Sequence, residues 1–233
     1  MGKMKLFCIP HAGASAYYYV PLKKCMPDVE FEFVELKGRG RRFSEGLYQS
    51  FEEAVDDVFE QIKDKCDGDY AIFGHSMGSW LAYELYHKLL ENHKSLPKCM
   101  FFSSREAPNE LMEKVDFDTM SSEELEFRIR ELGGAEDLER VNEEIKSMFY
   151  ETIKSDFKIL NDYEYQESHE KIRCKVVVMA GSKERGLSYS KLTKWQELVE
   201  GSISYNSFNG GHFYMNTQWE KMASVMENYL EIE

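Results

Sequence analysis

Short apolar runs alternate with amphipathic stretches along the chain. Lys5–Ile9 predicts a buried strand ended by Pro10, and Glu30–Leu36 a second one ended at Gly38. Phe51, Val55, Val58, Phe59 and Ile62 then recur at helical spacing behind Ser50, with Glu53 placed to complete a capping box. Tyr70–Phe73 predicts a short strand, and Ser79–Leu90 the helix that follows it. Cys99–Ser103 and Cys174–Ala180 predict two more strands, the latter with the β-branched run Val176-Val177-Val178. A helix around Ser188–Val199, a strand at Ile203 and Tyr205 and an amphipathic helix over Trp219–Leu230 complete the pattern. Such alternation implies a mainly parallel sheet with helices on both faces and right-handed crossovers, here in one domain spanning residues 1–233.

One connection breaks the rhythm. Residues 104–173 separate two strands, where a crossover needs only about a dozen residues. The excess reads as helices. Ser121 and Glu124 form a capping box ahead of Leu125, Ile129 and Leu132, and Gly133-Gly134 is a helix stop. Val141, Ile145, Phe149, Ile153 and Leu160 mark a longer helix. We read residues 106–170 as a helical lid insertion.

Composition narrows the possibilities. No apolar run approaches the roughly 18 residues of a membrane span, and Leu6-Phe7-Cys8-Ile9 is too short for a signal-peptide core. Leu6 stands where a myristoylation signal needs Ser or Thr. A soluble, cytoplasmic protein, by default a monomer, is the expectation. The net charge of −13 argues against nucleic acid as a partner. One basic turn, Lys37-Gly38-Arg39-Gly40-Arg41-Arg42, stands out and reads as a solvated turn or a contact for phosphate or carboxylates. Five scattered cysteines without a CxxC pair argue for reduced thiols. No His/Cys/carboxylate cluster has metal-ligand spacing, so neither metal nor cofactor is expected.

The chemistry centres on Gly74-His75-Ser76-Met77-Gly78, a G-x-S-x-G sequence between a predicted strand and a predicted helix. That context is what a nucleophile elbow requires, and it implies the α/β-hydrolase fold. A serine hydroxyl needs a base to take its proton. In the hydrolase order of Ser, acid, His, the base follows the last strand. His212, in Asn209-Gly210-Gly211-His212-Phe213, lies there, whereas His169 falls in a polar stretch of the insertion and reads as a surface residue. The acid belongs after the Cys174–Ala180 strand, where Glu184 is the carboxylate of the turn; Glu106, after the preceding strand, competes with it. One oxyanion donor is expected at the Met77 N–H and the other in the loop Pro10–Ser15. Tyr17-Tyr18-Tyr19 reads as a packed aromatic cluster or an acyl-pocket lining, and Trp80 as helix core.

Taken in order, several segments resemble the type II thioesterases of nonribosomal peptide and polyketide synthesis. They are Ile9-Pro10-His11-Ala12-Gly13-Ala14, Gly38-Arg39-Gly40, Gly74 to Gly78, Ser103-Ser104-Arg105-Glu106-Ala107-Pro108, Glu131-Leu132-Gly133-Gly134, Ser155-Asp156-Phe157 and Gly210 to Phe213. The resemblance implies removal of acyl or aminoacyl groups from the phosphopantetheine arm of an acyl or peptidyl carrier protein. It implies Ser76 as nucleophile, His212 as base, Glu184 as acid, and the Met77 and Ala12 N–H groups as oxyanion donors. Glu184 stands where the family usually has aspartate, Lys37 replaces a proline and Ala14 a glycine. The rival readings are a general carboxylesterase or acyltransferase with the same triad, and a carrier-binding module that has lost catalysis.

Overall fold

The computed structural model describes residues 3–110, 114–134 and 142–232; Val141 of the expected longer helix lies outside them. Six strands form one parallel sheet in the order β2-β1-β3-β4-β5-β6. They are β1 (Lys5–Ile9), β2 (Glu30–Phe33), β3 (Tyr70–His75), β4 (Cys99–Ser103), β5 (Lys175–Gly181) and β6 (Ile203–Phe208). β1 lies second from one edge, β2 takes that edge, and the chain then crosses back over β1 to build outward from β3 to β6.

Both faces are covered, so the central strands are apolar on both sides. Phe7, Ile9, Tyr70 and Ile72 face a core shared with helices α2 (Phe51–Ile62) and α3 (Met77–Glu91). Leu6, Cys8, Ala71 and Phe73 face the opposite core, which is closed by α1 (Val20–Cys25) and α7 (Trp219–Leu230). α2 starts where Ser50 accepts the Glu53 N–H, a cap worth about 1 kcal/mol.

The β4–β5 connection carries α4 (Ser122–Leu132) and α5 (Glu143–Asp162). α4 opens with a complete Ser121/Glu124 capping box and closes at Gly133, whose φ of 85° is the left-handed turn a helix stop needs. α5 is capped by Asn142 and packs along α4 and α2.

The structure differs from the sequence pattern in four places. The box expected at the start of α2 is half formed, because Glu53 Oε2 accepts the Gln49 N–H rather than that of Ser50. β2 ends at Phe33, because the chain leaves the sheet edge and Glu35 turns toward the loop after β1. The helix expected over Ser188–Val199 is short, α6 (Tyr189–Thr193), and passes into a 3₁₀ turn at Lys194–Leu198. There Trp195 turns inward, stacks on Phe102 at 4.0 Å and donates to the Arg105 carbonyl. His169 is not a surface residue: its ring stacks on buried His87 at 3.9 Å, and its Nε2 lies 2.8 Å from Glu84.

Candidate active site

Ser76 occupies a sharp turn between β3 and α3. Its φ of 54° and ψ of −118° are strained for a residue with a side chain. The turn closes because two glycines let backbones touch. A Cβ on Gly74 would stand 2.0 Å from the Gly78 carbonyl oxygen, and one on Gly78 would stand 2.3 Å from that of Ile9. The turn is fastened from β4: Ser76 N–H donates to Ser103 O at 2.8 Å, and Ser79 Oγ accepts the Ser103 N–H at 3.0 Å. Met77 opens α3, so its N–H belongs to the unpaired first turn and its positive helix end.

His212 lies just after β6, and the turns after β5 and β6 are zipped together. Ser182 N–H donates to Phe208 O at 2.7 Å, and Lys183 N–H to Gly210 O at 2.8 Å. That zipper sets Glu184 against the histidine, with His212 Nδ1 2.6 Å from Glu184 Oε1. A carboxylate only accepts, so Nδ1 is the donor in this bond. Ser104, after β4, donates to Glu184 Oε2 at 2.7 Å and lies 3.2 Å from the His212 carbonyl. Both members of the pair are nearly out of solvent. Glu106 takes no part: its carboxylate lies 3.7 Å from Arg105, and its carbonyl accepts the buried Trp80 indole N–H.

Two further histidines surround this pair. His75 sits 5.0 Å from His212, ring to ring, and bonds Ser103 Oγ, which bonds Tyr214. His11 lies edge-on to His75, Tyr18 and Phe213. Burial pulls His11 down to about 3 and His75 well below its ordinary value, helped by His212. Both rings are therefore neutral near pH 7. His75, Ser103 and Ser104 stand in quoted motifs, but the contacts of these residues and of Tyr214 carry no local signal, because the partners are distant in the chain.

Ser76 and His212 line the same two cavities. One, of 460 Å³, is mostly apolar and bounded by Ala12, Ile129, Phe149, Ile153 and Phe157. The other, of 1050 Å³, is also apolar over much of its wall, as at Phe117 and Phe127, and carries both signs of charge, with Arg105, Arg128 and Arg185 beside Glu123, Glu124 and Glu131. Tyr18 lines the smaller cavity, whereas Tyr19 is core and Tyr17 is exposed. The basic turn is largely spent inside the fold: Arg39 is buried on Asp156, and Arg42 pairs with Asp57 and Glu45. Among the described residues no group of three His, Cys, Asp or Glu side chains could hold a metal ion.

A serine on a strained elbow and a histidine backed by a carboxylate, lining the same cavities, are the parts that acyl transfer uses. A family model described as a thioesterase domain matches residues 4–231. The chain belongs to the thioesterase family. The thioesterase PikA5 of Streptomyces venezuelae is 28% identical over 233 residues, covering 97% of this chain and 81% of its own. The solved type II thioesterase BorB, from the borrelidin biosynthetic cluster, is 26% identical with a TM-score of 0.85, covering 98% of this chain and 91% of its own. ClbQ, from the colibactin NRPS/PKS pathway, is 27% identical with a TM-score of 0.92, covering 98% of this chain and 97% of its own. This thioesterase is thus a hydrolase of thioesters on the α/β-hydrolase fold. No helix among the described residues is long and apolar enough to cross a membrane.

Proposed function

We propose that this thioesterase removes acyl or aminoacyl groups from the phosphopantetheine arm of carrier proteins in nonribosomal peptide or polyketide synthesis. The observation that carries the reading is His212, held 2.6 Å from Glu184 and lining the same cavities as Ser76. The names and likeness of BorB and ClbQ supply the substrate class.

In the mechanism, Ser76 Oγ attacks the thioester carbon while His212 Nε2 takes its proton. Glu184 stabilises the imidazolium through Nδ1–H, and Ser104 holds the carboxylate in place. The tetrahedral oxyanion is held by the Met77 and Ala12 N–H groups. The C–S bond breaks and the pantetheine thiol leaves with the histidine's proton. Water then attacks the acyl-enzyme, His212 takes its proton and returns it to Ser76, and the free acid departs.

The acyl chain occupies the apolar 460 Å³ cavity, and the pantetheine arm enters through the larger one. α4 and α5 contribute walls to these cavities and form the lid, in a single domain. The thioesterase works as a monomer in the cytoplasm, without nucleic acid or membrane as a partner.

The test is hydrolysis of a panel of acyl groups loaded on one carrier protein, measured against simple oxygen esters of the same acids. The reading expects a higher kcat/KM on the carrier and complete dependence on Ser76. Faster turnover of the oxygen esters would favour a general esterase.

A further inference from the structure

Arg39 and Asp156 come from distant parts of the chain and meet where solvent does not reach. Arg39 Nη1 lies 2.5 Å from Asp156 Oδ2, and Nη2 lies 2.8 Å from Oδ1, a two-pronged bond. Burial works against the Arg39 charge, yet Asp156 more than restores it, and the guanidinium sits above its ordinary value. A buried ion pair of this kind is weak evidence for stability, since apolar residues of the same volume often do as well. Its geometry has another use. Asp156 Oδ2 also accepts the Gly13 N–H at 2.7 Å.

Gly13 follows Ala12, and the two peptide planes flanking Ala12 are thereby both held. The plane before Ala12 contains the His11 carbonyl, which accepts the Ala14 N–H at 3.1 Å. In a trans peptide the Ala12 N–H points opposite to that carbonyl, out of the turn. The plane after Ala12 contains the Gly13 N–H, which Asp156 fixes. On the far side, buried Glu35 takes the Ala16 N–H at 2.9 Å and lies 3.0 Å from Ser15 Oγ. Glu35 belongs to the segment after β2, whereas Asp156 belongs to α5, in the long β4–β5 connection. Gly13 itself has φ of 77°, and a Cβ there would stand 3.0 Å from Phe149, also on α5.

We infer that Asp156, oriented by Arg39, is a positioning residue for the Ala12 N–H, so that the oxyanion hole is complete only while α5 is seated. The inference rests on the reading of Ala12 as an oxyanion donor. It makes the insertion part of the catalytic apparatus rather than a passive cover. A substrate that displaces α5 frees the Gly13 N–H and lets the peptide between Ala12 and Gly13 turn.

The experiment compares Ala12→Pro, Asp156→Ala, Asp156→Asn and the Ala12→Pro/Asp156→Ala pair for kcat, KM, melting temperature and the rate of Ser76 phosphonylation by a fluorophosphonate. Removing one oxyanion donor costs about 100-fold or more, so Ala12→Pro should lose that in kcat. Asp156→Ala should lose about tenfold to 100-fold in kcat and in phosphonylation alike, with KM within about threefold. Asp156→Asn, which keeps the shape and one oxygen, should lose less. The double variant should be no slower than Ala12→Pro, because both act on one donor. If Ala12→Pro keeps its kcat, the donor reading is wrong. If Ala12→Pro is slow while folded Asp156→Ala and Asp156→Asn keep kcat, or if the two losses multiply, Asp156 is structural only and the inference is overturned.

Discussion

His212 Nδ1 lies 2.6 Å from Glu184 Oε1, across the zipped turns that follow β5 and β6. The turn after β5 carries a glutamate, one oxygen of which meets the ring while Ser104 bonds the other. Glu184→Gln keeps the shape but removes the charge that stabilises imidazolium. We expect kcat to fall by about 10³- to 10⁴-fold with the melting temperature nearly unchanged. Glu106→Gln, which touches neither His212 nor Ser76, should stay within about threefold of the parent under the same assay. Equal losses in the two variants would remove Glu184 from its role.

The elbow is a steric construction, so it should fail sterically. Gly78→Ala places a Cβ about where the Ile9 carbonyl oxygen already lies, 2.3 Å away, and both partners are backbone. Overpacking of this kind costs roughly 1–3 kcal/mol, and here no side chain can yield. Urea denaturation should show a loss at or above the upper end of that range. Gly46→Ala, with nothing within 4 Å of the added carbon, should be near neutral.

Acid should weaken the fold through histidines buried in their neutral form. Burial holds His11 and His87 down to about 3, His87 with help from stacked His169, and holds His75 lower still than its ordinary value. An unfolded histidine takes a proton near pH 6.5, which these folded ones refuse. Stability is therefore complete above that pH and is lost as pH falls below it, by up to about 1.4 kcal/mol per pH unit for each group. His87→Phe keeps an aromatic ring at the stack and removes one titration. Urea midpoints between pH 7.5 and 5.5 should fall less steeply in this variant than in the parent; parallel slopes would contradict the account.

On the proposed placement of the acyl chain, the apolar cavity sets which acids are released. Ala14, in the loop after β1, lines it, and Ala14→Leu should fill space there. Each methylene that no longer fits a hydrophobic pocket is worth about tenfold or more in kcat/KM. The preferred acyl chain on a single carrier should therefore become shorter, while the shortest chains are turned over nearly as before. An unchanged ranking would place the acyl chain in the other cavity.

The fold was readable because its signals are local. Short continuous apolar runs marked the strands, Ser50 and Ser121 marked helix starts, and Gly133 marked a stop. The split of the Ser188–Val199 helix was not readable, because Trp195 answers to Phe102, which is far away in sequence. At the site, G-x-S-x-G between strand and helix pointed to Ser76, and chain order pointed to His212. What makes Glu184 rather than Glu106 the neighbour of His212 is the pairing of two turns 28 residues apart, which no local pattern carries. The same holds for Arg39. A basic turn in an acidic protein looks solvated until Asp156, 117 residues on, is folded against it.

The most direct test of the central claim is intact-protein mass measurement after mixing the thioesterase with an acyl-carrier thioester and quenching early. The expected result is a transient mass increase equal to one acyl group, mapped to Ser76, absent in Ser76→Ala and formed at least about 10³-fold more slowly in His212→Ala, which lacks the base for the first step. Undiminished hydrolysis by Ser76→Ala, or an acyl group mapped to another residue, would contradict it.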